Sequence, residues 1–486
     1  MAWCSRIRSS NVFRFPLSIT SKILLRAPPS NCSWKFEFAS FTRLCFAFYS
    51  STVMPRAKEH AENREIQYNW IDGTESLEKY KPGGYHPIMI GDTLHGRYRV
   101  VDKLGFGGYS TVWLARDNLL ERYVAVKVGI SNAVLQETNI LRALSTRLPS
   151  YMPACLGHSA IPVPLDEFEL NGPNGKHLCY TMAPARCNLR EVSYSRLFPL
   201  EVARALSGGL ILAIAYMHSR GFAHGDIHLR NVLVKLPSSF DRFSVDQLYE
   251  QYGEPETIPI TRTDGKPLPP NIPSKAVLPL YLGQNAEEFL LSDARVLLGD
   301  FGEAFAPDFD ARKGEDCHTP LAMRPPETRF EPQTTLSYSA DIWSLATAIW
   351  EILGMKAIFS SEVTTVDELT CQQIDVLGSM PLKWWELWEE RSQFFDNNGH
   401  PKESRYVWPP ISKAFEDYVQ EYRRKLGVGE FGEDEKAAIL DLMCRMLAFQ
   451  PKDRPTAKEV LQSEWMVKWV LPDLERHSLV EVGNLT

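Results

Sequence analysis

The sequence is poor in several things. Its nine cysteines are odd in number, and no two of them are spaced as C-x-x-C. Cys4, Cys32, Cys45, Cys155, Cys179, Cys187, Cys317, Cys371 and Cys444 are scattered, which excludes a zinc-ribbon site or a disulfide framework and leaves reduced thiols in a reducing compartment. No run reaches the roughly 18 consecutive apolar residues of a membrane span. No internal repeat is present, which excludes a solenoid. Acidic residues are nearly missing from residues 1–58, where Glu37 stands alone against nine Lys or Arg. Taking these from the chain's 53 basic and 60 acidic residues leaves 44 and 59, a balance of −15 for the rest. An acidic body suits a basic partner better than it suits nucleic acid.

What is there is enough for a full enzyme. The 486 residues are 44% hydrophobic, as in a soluble globular protein with one large two-lobed core or a few domains. The leader, residues 1–58, is rich in Arg and Ser and interleaved with Phe, Leu and Ile. That is the composition of a mitochondrial transit peptide. The alternative is a disordered basic leader or a start at Met54, either of which keeps the protein in cytoplasm and nucleus. Residues 59–95 form a polar, turn-rich lead-in.

From Gly96 onward β-branched and aromatic residues alternate with polar ones in RYRVVDKLG, STVWLARD and RYVAVKVG, predicting three strands. NAVLQETNILRALS, apolar at Val134, Ile140, Leu141 and Leu144, predicts a helix. Strands follow at about 161–182, then long helical patterns including EVARALSGGLILAIAYMHSRG and SADIWSLATAIWEIL. The plan is α+β and two-lobed, with a small β-rich lobe at 96–183 and a helical lobe at 184–470, then a tail at 471–486. Within the second lobe, residues 236–295 are Pro-rich and weakly periodic, an insertion with a role or a disordered spacer.

The chemistry sits in five places. LGFGGYSTV is a glycine-rich turn between two strands, and the missing side chains at Gly105, Gly107 and Gly108 let backbone N–H groups approach phosphates, with Leu104 and Ser110 at its ends. Lys127 ends the strand VAVK, and ten residues on Glu137 lies in a helical pattern, so a carboxylate can fix an ammonium that holds phosphates. In HGDIHLRN, Asp226 can take a hydroxyl proton and Asn231 can hold a metal. Asp300 of GDFGEAF follows a short apolar strand and can chelate the metal that bridges the phosphates. This ordered set suits phosphoryl transfer, and at this point the acceptor is open: a protein hydroxyl, or a small molecule of the aminoglycoside or choline kind.

Three later residues bear on that choice. Glu327 of MRPPE, Asp341 of SADIWSL and Arg454 of KDRPTA resemble the scaffold of the protein kinases, in which the arginine pairs with the glutamate and the helical aspartate supports the catalytic loop. Small-molecule phosphotransferases lack this trio. YKPGGYHPIMIGDTLHGRYRVVDKLGFGGYSTVWLARD further resembles the start of the SR-protein kinases, which phosphorylate serines of Arg/Ser-repeat proteins, and the likeness runs over about 66–470. Arg324 resembles an arginine characteristic of the wider group that holds these enzymes.

The resemblance implies a serine/threonine kinase using ATP and Mg²⁺ on basic, Arg/Ser-rich proteins such as splicing factors, monomeric, with no nucleic-acid or membrane partner. It also implies that Met182 is the gatekeeper, that Ala183 C=O and Ala185 N–H face adenine across Pro184, and that Val112 and Ala125 pack on the base. The sequence departs from the usual pattern in places. Gly225 replaces the arginine that receives an activating phosphate, as the SR-protein kinases also do, which implies constitutive activity. His228 replaces the catalytic-loop lysine, and Met323 stands where a tyrosine is expected before Arg324. Arg230, always cationic, is then the expected stabiliser of transferring charge, with His228 shaping the loop or touching Asp226. His228 and the missing third glycine also keep open a nucleotide-binding pseudokinase.

Overall fold

A computed structural model describes residues 66–131, 136–146, 153–192, 197–360 and 365–476. The leader at 1–58, Val134, and the tail beyond 476 lie outside the described residues, as do Cys4, Cys32 and Cys45.

The alternating segments form the expected strands: β1 (Thr93–Leu94), β2 (Tyr98–Phe106), β3 (Ser110–Asp117) and β4 (Arg122–Gly129). After α1 (Gln136–Ser145) come β5 (Asp166–Gly172) and β6 (Gly175–Met182), and these six strands make one antiparallel sheet in the order β1-β2-β3-β4-β6-β5. Its core is built from the inward residues of each strand, among them Tyr98, Val100, Trp113, Val124 and Val126.

The chain then passes β7 (Ala185–Asn188) and α2 (Leu189–Val192) into the helical lobe. Its centre is α3 (Leu200–Ser219) packed on other helices. By length and mean hydropathy, 1.5, α3 could cross a membrane despite Glu201 and Arg204, but 78% of that window is buried inside the protein, as befits a core helix. Two further strands, β8 (Val232–Lys235) and, after the insertion, β11 (Val296–Leu298), complete a three-stranded sheet with β7 in which β8 lies between β7 and β11. Within the insertion lie α4 (Val245–Tyr252), β9 (Thr257–Pro259) and β10 (Lys275–Val277). Beyond β11 come α5 (Glu327–Phe330) and α6 (Tyr338–Gly354), the latter buried almost throughout and started by Ser337, whose side chain accepts the Ser339 N–H.

Two segments carry more structure than their sequences suggested. Of the two readings left for the insertion, the structure shows the ordered one, and although the insertion interrupts the second lobe in sequence it covers the first in space. Phe240, Leu248 and Leu282 pack on Val101, Leu114 and Tyr123 of the sheet. Helix α4 begins with a reciprocal cap between Ser244 and Gln247. The lead-in is likewise more than a polar turn. Tyr68, Leu77, Tyr80 and Tyr85 bury themselves against Ile260, Ile272 and Ala276 of the insertion. Outside α4, where Val245, Leu248, Tyr249 and Tyr252 recur at helical spacing on the packed face, these segments show no period of 2 or 3.6 and are held in part by side-chain to backbone bonds. Asn174 donates to the carbonyls of Tyr85 and Asn271, and Asn271 donates to that of Tyr80.

Cys179, Cys187, Cys317 and Cys371 are buried free thiols, and Cys444 is an exposed one.

Candidate active site

The glycine-rich turn closes the hairpin of β2 and β3, where Gly105 faces Val112 and Phe106 faces Thr111. Its tip is drawn together by the Gly107 N–H, which donates to the Ser110 carbonyl at 2.8 Å. A Cβ added at Gly105 or Gly107 would meet nothing within 4 Å among the described residues, so room remains there for a ligand. Leu104 and Ser110 flank this space, half-buried.

Below it, Lys127 of β4 donates to Glu137 of α1 at 2.9 and 2.7 Å and to Asp300 Oδ1 at 3.2 Å. Burial alone would discharge this ammonium. Tyr180 and the Glu137 and Asp300 carboxylates outweigh burial and raise its pKa above the ordinary lysine value. Burial likewise pushes the Asp300 carboxyl up, and Lys127 overrides it, holding that pKa low. Asp300 carries a left-handed backbone, φ 53°, a strained conformation for a non-glycine residue. Glu137 Oε1 also accepts the Phe301 N–H at 3.0 Å, so sheet, helix and the GDFG segment meet on one carboxylate.

The catalytic-loop candidates converge next to it. The Gly299 N–H donates to the Asn231 carbonyl at 2.7 Å, joining the two metal-ligand candidates through adjacent backbone. Asn231 Nδ2 donates to the Asp226 carbonyl at 2.9 Å and to its Oδ2 at 3.1 Å, which leaves the amide oxygen as the atom suited to a cation. His228 Nε2 lies 3.3 Å from Asp226 Oδ2 and 3.3 Å from Asn231 Nδ2. Asp226 Oδ1 is buried and has no hydrogen-bond partner among the described residues, an acceptor held ready for a proton donor. Among those residues no cluster of three or more His, Cys, Asp or Glu could hold a metal. One carboxylate and one amide is the sparse set with which Mg²⁺ is held when substrate phosphates complete its shell.

Arg230 is exposed; burial raises the pKa of Glu191 on α2, and Asn188 and the Arg230 charge offset part of that rise. The structure thus turns His228 toward Asp226 and Asn231, and sets Arg230 beside Glu191.

The loop is held from behind by buried ionic groups. Asp341 of α6 accepts the N–H groups of His224 at 2.7 Å and Gly225 at 2.9 Å, and lies 2.9 Å from His218 Nε2. Burial raises the Asp341 pKa, and His218 overrides it, keeping the carboxyl below its usual range. Arg454 forks onto both oxygens of Glu327 at 2.7 and 2.6 Å and donates also to the carbonyls of Ser339, Ala448 and Phe449.

Gly225 has φ 76°, and a Cβ there would sit 2.5 Å from the Glu303 carbonyl oxygen. No side chain fits, least of all an arginine. Thr319 donates to the Gly225 carbonyl at 2.8 Å, and Glu303 is gripped by Arg312 and by His318 at 2.9 Å, so the segment after Asp300 is ordered by its own residues. Arg324 donates to the Thr319 carbonyl at 2.8 Å, and Met323 packs on the helical core.

At the mouth of the cleft Ala125 pairs with Met182, which is half-buried, and Val112 is half-buried above. Ala183 is exposed, and Ala185 opens β7. Sequence reasoning missed Arg186, which donates to the Leu282 carbonyl at 3.4 Å, to Gln284 at 2.6 Å and to Asp293 at 3.1 Å, tying the insertion to the interlobe strand. It also missed Lys79 and Tyr85 of the lead-in, which touch the glycine-rich turn. The GGYHP string was visible, but nothing local says where its tyrosine points.

Comparison with known proteins agrees with this geometry. Residues 285–466 match the protein kinase domain family. A serine/threonine protein kinase of Aspergillus fumigatus is 25% identical over 402 residues, 81% of this chain and 90% of that one. The serine/threonine-protein kinase SRPK of Physarum polycephalum is 25% identical over 416 residues, 81% of this chain and 91% of that one. The serine/threonine-protein kinase spk-1 of Caenorhabditis elegans is 39% identical over 171 residues, 33% of this chain and 17% of that one. A crystal structure of a kinase domain, 17% identical, superposes with a TM-score of 0.53 over 79% of this chain and 98% of that one, a likeness of fold.

Proposed function

The chain is a serine/threonine protein kinase that resembles the SR-protein kinases, and from that premise we propose that it transfers the γ-phosphoryl group of ATP, with Mg²⁺, to serines of basic, Arg/Ser-rich proteins such as splicing factors. The observation that carries the reading is the buried, unpartnered Asp226 Oδ1 beside Asn231. Asp226 accepts the acceptor hydroxyl's proton through that oxygen while Asn231 and His228 fix the other. Lys127, charged and steered by Glu137, holds the α and β phosphates; Val112, Ala125, Met182, Ala183 and Ala185 receive the base. Asn231 and Asp300 would hold Mg²⁺, which would supply neutralising charge to the nucleotide's phosphates when bound. Catalysis is then positioning and preorganised charge, with His228, 3.3 Å from Asp226 Oδ2, shaping the loop at the base, and Arg230, exposed beside Glu191, a cation at its edge.

A basic acceptor follows from charge. The body of the chain has a balance of −15, so arginines are drawn to it through carboxylates, and the attraction weakens as salt rises. We place the enzyme in cytoplasm and nucleus as a monomer; the leader's composition favours mitochondria as a second reading. A peptide panel tests the acceptor. With labelled ATP at low salt, Arg/Ser-repeat peptides should be phosphorylated faster than neutral or acidic serine peptides, and equal rates would remove the basic-acceptor reading.

A further inference from the structure

We propose that Tyr85 and Lys79, both outside the kinase lobes in sequence, are positioning residues that aim the glycine-rich turn at the nucleotide's phosphates. This rests on the reading above that the turn holds ATP. The Tyr85 hydroxyl donates to the Gly107 carbonyl at 2.7 Å, and Lys79 Nζ donates to the Gly108 carbonyl at 3.1 Å. The next carbonyl, of Tyr109, accepts the Ile130 N–H at 2.9 Å.

A trans peptide is planar, with its C=O and N–H on opposite sides. Holding the Gly107 carbonyl therefore turns the Gly108 N–H away from the lead-in, and holding the Gly108 carbonyl does the same for the Tyr109 N–H. Two successive amides aimed one way form an anion-binding concavity. Neither N–H has a partner among the described residues. Glycines at 107 and 108 give these planes their freedom, and without an outside grip they would sample many orientations.

The grip is itself anchored. Tyr85 is 3% exposed and packs edge-on against Tyr80, with ring centres 5.5 Å apart. Tyr80 donates to Glu75, which forms a buried ion pair with Lys103, two residues before Gly105 on β2. The Tyr85 carbonyl is held by Asn174 at 2.7 Å, and Asn174 also holds the insertion through Asn271 at 2.8 Å. Lead-in, insertion and turn are thus one mechanical unit.

The test compares Tyr85→Phe, which keeps the ring and removes the hydroxyl, with Tyr80→Phe, which removes a hydroxyl from the same cluster without touching the turn. Affinities for ATP and for adenosine are measured on full-length protein, with KM for ATP and for peptide. Tyr85→Phe should weaken ATP binding and raise the ATP KM on the order of three- to tenfold, about one hydrogen bond's worth. Adenosine affinity and peptide KM should not change. Lys79→Met should act in the same direction, and Tyr80→Phe should lower the unfolding midpoint while leaving the ATP preference intact. If Tyr85→Phe weakens adenosine as much as ATP, or changes neither, the clamp is overturned. If the unmutated protein binds ATP no better than adenosine, the phosphate-holding turn itself is wrong, and the clamp falls with it.

Discussion

Replacing Gly225 by alanine would place a methyl group 2.5 Å from the Glu303 carbonyl oxygen, on a backbone with φ 76°. Two costs add. The left-handed conformation costs an alanine about 1–2 kcal/mol, and pushing a packed backbone aside costs roughly 1–3 kcal/mol more. The sum, about 2–5 kcal/mol, must be met by moving the segment after Asp300, because Gly225 is fixed from behind by Asp341. That segment carries Thr319, which donates to the Gly225 carbonyl, and Phe301, whose N–H is bound by the same Glu137 that steers Lys127. Gly225→Ala should therefore lower the unfolding midpoint by several degrees and also lower turnover of the folded enzyme. Thermal unfolding by circular dichroism, with peptide phosphorylation assayed well below the midpoint, separates the two effects. An unchanged midpoint with unchanged turnover would refute the argument that the Glu303 carbonyl fills the space of the missing arginine. The same geometry predicts that bacterially expressed, phosphatase-treated enzyme stays active, since no cation stands at 225 to receive a phosphate and Glu303, Arg312 and His318 order the segment instead.

Three other outcomes are expected. Asp102 is 2% exposed, and burial pushes its carboxyl from 3.8 to about 6. A carboxyl with a raised folded pKa favours the fold in acid and loses that contribution as the pH climbs from 3.8 through about 6, so its charged form costs up to about 3 kcal/mol above that range. Asp102→Asn, whose amide oxygen can still accept the Lys103 N–H, should raise the unfolding midpoint at pH 7.5 and lose the gain near pH 4; no gain at pH 7.5 contradicts this. Arg454→Lys keeps the charge but cannot serve Glu327 and three carbonyls with a fork, and Arg454→Ala leaves a buried carboxylate at a cost of about 3–5 kcal/mol. Denaturant unfolding should rank them wild type, lysine, alanine, and equal stability of all three would deny the pair its role. His228→Ala, which removes the ring beside Asp226 and Asn231, should lower turnover more than Arg230→Ala, whose side chain is exposed beside Glu191, with little change in ATP affinity in either; the reverse order in steady-state kinetics would exchange their roles.

How much was legible in the sequence depended on the kind of signal. Lys127, Glu137, Asp226, Asn231 and Asp300 stand out because charged residues in fixed order on turns and strand ends are chemically uncommon, and the structure brings them together. The strands β2 to β4 and the helices α3 and α6 follow from apolar periodicity, since each buries one face or nearly all of itself. The lead-in and the insertion outside α4 were not legible, because their order comes from long-range pairs such as Glu75 with Lys103 and Tyr68 with Arg262, which no window of sequence contains. The directions of His228 and Arg230 were hidden for a related reason: neighbours in a tight loop point to different sides, and only the folded loop decides which faces Asp226.

The most direct measurement is transfer of label from γ-labelled ATP to serine in an Arg/Ser-repeat peptide by the full-length protein and by its Asp226→Ala variant, with both shown to bind ATP. Phosphoserine should form with the unmutated protein and fall by several powers of ten with the variant, while ATP affinity stays within a few-fold. Undiminished phosphoserine from the variant, or none from the unmutated protein, would contradict the claim that Asp226 is the base of a protein kinase acting on basic serine substrates.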